Sequence, residues 1–99
     1  MKPVTFHPYI QRDISDALTK YEAISDKLAD QIWEEFQFFL TKIQKNPKQH
    51  KDEYTGLRRL NLKQFPYNIL FVEYPNKIRI QVFRHNSRKA TFGSYRKQK

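Results

Sequence analysis

His85, Arg88, Tyr95 and Arg59 are the side chains of this sequence that can combine into chemistry. A histidine titrating near neutrality can take or give a proton, and guanidinium groups can clamp a phosphoryl centre. A tyrosine can stack on a base or pass a proton. Such a set would suit attack of a ribose 2′-hydroxyl on its neighbouring phosphate, which needs a base, cations for the phosphorane and an acid for the leaving oxygen. His85 would be the base or acid, Arg88 and Arg59 the clamp, and Tyr95 the stacking or proton-transferring group. A plainer reading stands beside it, in which His85 closes a strand and bonds locally while the arginines face solvent or a protein partner. Other chemistries find no support. His7 and His50 lack metal-ligand spacing, there is no Ser/His/Asp or phosphate-loop motif, and there is no cysteine. Neither a metal nor a cofactor is expected.

The charge that would surround such a site is unevenly placed. Residues 1–47 carry 6 Lys/Arg and 7 Asp/Glu, a net of −1, whereas residues 48–99 carry 13 and 3, a net of +10, which together make the formal +9. A one-sided basic field favours nucleic acid or an acidic protein. Arg58, Arg59, Lys63, Arg79, Arg84, Lys89 and Arg96 are the cations expected to meet it. No stretch resembles a secretion signal or a membrane span, so a cytoplasmic protein is expected.

The elements that must position these groups follow from apolar periodicity. Val4, Thr5 and Phe6 read as a short strand, and His7-Pro8 suits a helix start. Ile10, Ile14, Ala17, Leu18 and Tyr21 form one helical stripe, with Gln11, Arg12, Asp13 and Asp16 outside it. Ser25 is a good N-cap for a second helix running to Lys45, whose stripe is Leu28, Ile32, Phe36, Phe39, Leu40 and Ile43, with Trp33 at its margin. Trp33, Phe36 and Phe39 are expected in the core. Asn46-Pro47 stops that helix. Phe38 falls on its far face and is a candidate partner anchor.

Residues 48–54 are polar and read as a surface loop. Three strands then follow at 57–63, 67–73 and 77–83, joined by short links and therefore antiparallel. The middle one is apolar on both faces, as a central strand should be. In the last, Ile78, Ile80 and Val82 are expected inward, with Lys77, Arg79, Gln81 and Phe83 outward. The expected fold is one α+β domain spanning 1–99, β-α-α-β-β-β, with two antiparallel N-terminal helices on one face of a mostly antiparallel four-stranded sheet. The other face should carry Arg59, Asn61, Lys63, Arg79, Gln81, Phe83 and His85. Phe83 is thus a second candidate partner contact.

Order and spacing of these segments resemble a known family. Two helices ending in Asn46-Pro47 precede Gly56-Leu57-Arg58-Arg59-Leu60, then Phe65-Pro66-Tyr67-Asn68-Ile69-Leu70-Phe71, then Ile78-Arg79-Ile80-Gln81-Val82, then His85-Asn86-Ser87-Arg88, with Tyr95-Arg96 beyond. From Phe6 through Arg96 the chain resembles the RelE/ParE toxins of bacterial type II toxin–antitoxin and plasmid-stabilisation modules. The resemblance implies a growth-inhibiting toxin, a cognate acidic antitoxin, and operator DNA bound through their complex. It also implies one of two targets, because RelE-like members cleave messenger RNA on the ribosome and ParE-like members poison DNA gyrase. RelE-like nucleases tend to have two basic residues on the second strand, an arginine just after the tyrosine that opens the third, and an arginine with a following tyrosine after the fourth. This sequence has Arg59 and Asn61, then Asn68 after Tyr67, and only Arg88 and Tyr95 match the last element. Gyrase poisoning is therefore the leading expectation, messenger-RNA cleavage the second, and a binding module whose activity has decayed the third.

Overall fold

The computed structural model describes residues 2–49, 52–54, 56–89, 92, 93 and 96. Its elements are β1 (Val4–Phe6), α1 (Ile10–Glu22), α2 (Asp26–Lys45), a 3-10 turn (Pro47–Gln49), β2 (Asp52–Tyr54), β3 (Leu57–Asn61), β4 (Tyr67–Tyr74) and β5 (Lys77–His85). Ser25 caps α2 as its residue type foretells, its hydroxyl accepting the Lys27 N–H at 3.2 Å. The helix ends at Lys45 with Asn46 as its C-cap, and Pro47–Gln49 wind into the 3-10 turn.

The strands form one sheet in the order β1-β5-β4-β3-β2, with β1 parallel to β5 and every other pair antiparallel. The α+β class and the strand-helix-helix-strand-strand-strand order are as expected. One element is added: residues 52–54, expected in a loop, pair with β3 as a short edge strand. Their polarity misleads because an edge strand is held by backbone bonds and need not bury side chains.

Both helices pack on one sheet face. Ile10, Ala17, Ile32, Phe36, Phe39 and Ile43 meet Leu60, Ile69, Phe71, Ile78 and Ile80 in the main core. Trp33, expected there, is instead 38% exposed and stacks on Phe36 at 6.0 Å. It lies at the edge of the stripe, where the helix surface turns away from the sheet. The opposite sheet face holds a smaller apolar cluster of Leu57, Leu70, Val72 and Val82, with Tyr74 and Phe92 against it.

A bulge decides which residues of β5 face where. Leu70 pairs with Val82 and Phe71 with Ile80, so Gln81 is an extra residue on β5 and the alternation slips by one. Up to Ile80 the expected faces hold. Beyond the bulge Val82 turns to the open face, while Phe83 turns into the main core, 3% exposed between Phe36 and Tyr67. The expectation of Phe83 as an outward partner contact is thereby corrected.

Candidate functional site

The same slip carries His85 to the helix side of the sheet, where it pairs with Tyr67 and their rings meet edge to face at 5.1 Å. Strand β1 pairs with β5 only as far as Ile80, and beyond it α1, not a described strand, borders that β5 edge. A cavity of about 370 Å³ occupies this place. His85 and Arg88 line it together with Lys20 and Asp16 of α1, Tyr67, and Phe92.

Within the cavity His85 is fixed by its own turn. Its Nδ1 accepts the Ser87 N–H at 3.0 Å and its carbonyl accepts the Arg88 N–H at 3.0 Å. The neutral ring therefore carries its proton on Nε2. Partial burial holds its pKa below the ordinary 6.5, with the Lys20 and Arg88 charges pushing the same way. The ring is thus a neutral base at pH 7. Burial raises the Tyr67 phenol above its usual 10, with Tyr21 adding to the rise and Arg88 opposing it. Arg88 itself is exposed, its guanidinium 5.0 Å over the Phe92 ring.

Arg59 does not join them. It pairs with Leu70, on the open sheet face, and its Nε donates to Asn61 Oδ1 at 2.9 Å. Tyr95 lies outside the described residues. Of the four residues able to assemble RNA-cleaving chemistry, the structure gathers two. Asn68 is 1% exposed and knits the strand ends, its Oδ1 accepting Arg84 Nε at 3.1 Å and its Nδ2 donating to Asn86 at 2.7 Å.

The basic residues separate into two kinds. Lys63 and Lys89 are exposed, Arg79 and Arg59 are half-buried on the open face, and Arg58 is half-buried on the helix side near Glu73. Arg84 and Arg96, expected to meet a target, are 4% and 8% exposed. Arg84 donates to Asn68 and to the Phe92 carbonyl at 3.0 Å. Arg96 forms a two-pronged pair with Asp13, at 2.7 and 2.9 Å, and donates to the Gln81 carbonyl at 2.8 Å. Asp13 also accepts the Phe83 N–H at 3.1 Å and so closes the open edge of β5. The sequence places Asp13 outside the α1 stripe, yet it is buried. Its partners lie 70 and 83 residues away, so no local pattern could reveal them. No sequence pattern assigns Lys20, Asp16 or Tyr67 to the site; Lys20 and Asp16 look like an ordinary solvated helix face. Among the described residues no cluster of His, Asp and Glu is placed to hold a metal ion, and no helix is long and apolar enough to cross a membrane.

Compared with solved structures, the chain matches one from the chromosomal ParDE toxin–antitoxin system of P. aeruginosa. The two superpose with a TM-score of 0.76 over 86% of this chain and 96% of that one, at 18% identity. This chain has the fold of that ParDE chain. The match agrees with the RelE/ParE resemblance found in the sequence. No protein-family model matches the sequence, and no curated protein matches it.

Proposed function

We propose that this chain is the toxin of a type II toxin–antitoxin module, a ParE-like poison of DNA gyrase held in check by a cognate antitoxin. The observation that carries the reading is the fold shared with a chain of a ParDE system over nearly the whole length of both. The net charge of +9 supports it, because such a field speeds capture of an acidic antitoxin. Gyrase is favoured over messenger RNA by the placement of the arginines. A cleaving site needs several cations around one phosphate, and Arg59 stands on the other sheet face from His85. At Asn68, where the nuclease pattern has arginine, the side chain is consumed in holding Arg84.

Messenger-RNA cleavage is the second reading, and one observation favours it. His85 sits as a neutral base in a cavity with Arg88 and Lys20, which is enough for proton transfer beside a phosphate. The two readings part in one experiment. On induction without an antitoxin, growth should stop, and co-expression of a cognate acidic antitoxin should restore it. Purified chain should then block supercoiling by gyrase, and no new messenger-RNA ends should arise in translating cells. Cleaved messages that disappear in Arg88→Ala would establish the nuclease instead, and unimpaired growth with abundant soluble chain would remove the toxin reading altogether.

A further inference from the structure

Beside the His85 cavity, side chains from two distant stretches of the chain meet in one row at the edge of β5 that α1 borders. The Arg12 guanidinium lies 5.5 Å from the centre of the Tyr9 ring, and Arg96 lies 5.5 Å from the same ring. Arg96 is also 5.7 Å from the Phe92 ring, over which Arg88 stands at 5.0 Å. Arginine and aromatic ring therefore alternate along the whole row, in the order Arg12, Tyr9, Arg96, Phe92, Arg88.

The members of the row play different parts. Arg96 is buried and its charge is met by Asp13, which makes it a strut fixing the ring on either side. Arg12 and Arg88 are exposed at the two ends, and Tyr9 between them keeps 47% of its exposure. Among the described residues neither end guanidinium takes part in a hydrogen bond or an ion pair, and Asp16, which lines the cavity with Arg88, does not pair with it. Burial, and then the charges of Arg96 and Arg79, hold His7 below the ordinary 6.5, which sets Arg79 beside the row as a further cation. A guanidinium leaning on a ring keeps its N–H donors and loses little freedom when an anion arrives.

We propose that this row is a contact surface for the phosphate backbone of duplex DNA, which Arg12 grips at one end and Arg88 at the other without reading base sequence. Single strands are held largely by stacking bases on aromatic faces, and here each ring is already engaged by two guanidiniums. An acidic peptide gains little from exposed charge pairs alone. Duplex DNA gains more from the same cations, because each phosphate met releases a condensed counterion. This inference stands apart from the gyrase reading, for it rests on the row alone and places the DNA contact on this chain itself.

A fluorescent duplex of about 20 base pairs and arbitrary sequence would be titrated with the full chain, followed by anisotropy, between about 50 and 200 mM salt. Deoxyribose has no 2′-hydroxyl, so the cleavage weighed for His85 cannot act on this probe and binding is read alone. An Arg12→Gln/Arg88→Gln variant whose circular dichroism matches the parent should bind more than about tenfold weaker near 0.1 M salt, with the salt slope shallower by about 2. Removing the same charge elsewhere, in Lys27→Gln/Lys63→Gln, should weaken binding by less than about threefold. Tyr9→Ala keeps every charge but frees Arg12, so affinity should fall by about two- to fivefold at an unchanged slope, while Tyr9→Phe restores it. Absence of saturable binding at about 50 mM salt would overturn the proposal. So would equal losses in the two double variants, or a single strand or an oligoglutamate peptide that competes for the chain better than the duplex does.

Discussion

Replacing Asp13 with alanine should damage the fold more than any other substitution of a polar residue in α1. Its carboxylate takes two bonds from Arg96, at 2.7 and 2.9 Å, and one from the Phe83 N–H at 3.1 Å, while the two side chains of the ion pair keep only 6% and 4% of their exposure. Alanine would leave a guanidinium and an amide N–H facing a dry gap. Breaking one side of a buried ion pair costs about 3–5 kcal/mol, because the charge left behind has lost water and gained nothing. That is a large share of the total stability of about 5–15 kcal/mol expected of a domain. At roughly 5 °C per kcal/mol for a chain of this size, the midpoint of thermal unfolding should fall by about 15–25 °C. Urea unfolding followed by Trp33 emission would measure the loss. A cycle built from Asp13→Asn and Arg96→Met sharpens the test, since asparagine can still accept the Phe83 N–H and methionine leaves no charge. The double variant should be more stable than the summed single losses imply, by about 1.5–3 kcal/mol. Strictly additive losses, or a cost below about 1 kcal/mol for Asp13→Ala, would refute the buried pair as the clasp between α1, β5 and Arg96.

Gly93 and Gly56 both adopt positive φ, at +83° and +84°, but a Cβ on Gly93 would lie 2.5 Å from Val82 Cγ2 whereas one on Gly56 meets nothing within 4 Å. Gly56→Ala should therefore cost about 1 kcal/mol from backbone strain alone, and Gly93→Ala clearly more by chemical denaturation; equal costs would show that residue 93 does not press on Val82. Phe36→Ala, emptying a site 2% exposed between Trp33 and Phe83, should cost about 3–5 kcal/mol, and an unchanged melting midpoint would contradict its place in the core. In an NMR titration His85 should lose its proton with a midpoint below 6.5, and Lys20→Met should raise that midpoint. Because the folded pKa is depressed, the contribution of His85 to stability is complete above pH 6.5 and fades as pH falls through the folded midpoint. A midpoint above 6.5 would mean that the ring does not sit in the cavity as described.

Much of the fold is written locally. A stripe such as Ile32, Phe36, Phe39 and Ile43 recurs because one helix face must leave water, Ser25 and Pro47 mark the helix ends through their own backbone preferences, and the doubly apolar run from Ile69 to Val72 announces a central strand. The order of segments and the resemblance to RelE/ParE chains could be read from the same patterns, and His85 and Arg88 could be singled out by type and spacing. Tertiary structure alone decided which way those residues face. The extra residue at Gln81 is set by pairing between β4 and β5, and it reverses every side chain after it, which buries Phe83 and brings His85 under α1. Arg84, Arg96 and Asp13 read as solvated charges because their partners are distant: desolvation is tolerable only where Asn68, the Phe92 carbonyl and the Asp13–Arg96 pair itself converge. Periodicity is a property of neighbours along the chain, whereas a bulge and a buried ion pair depend on groups that meet only when the sheet has formed.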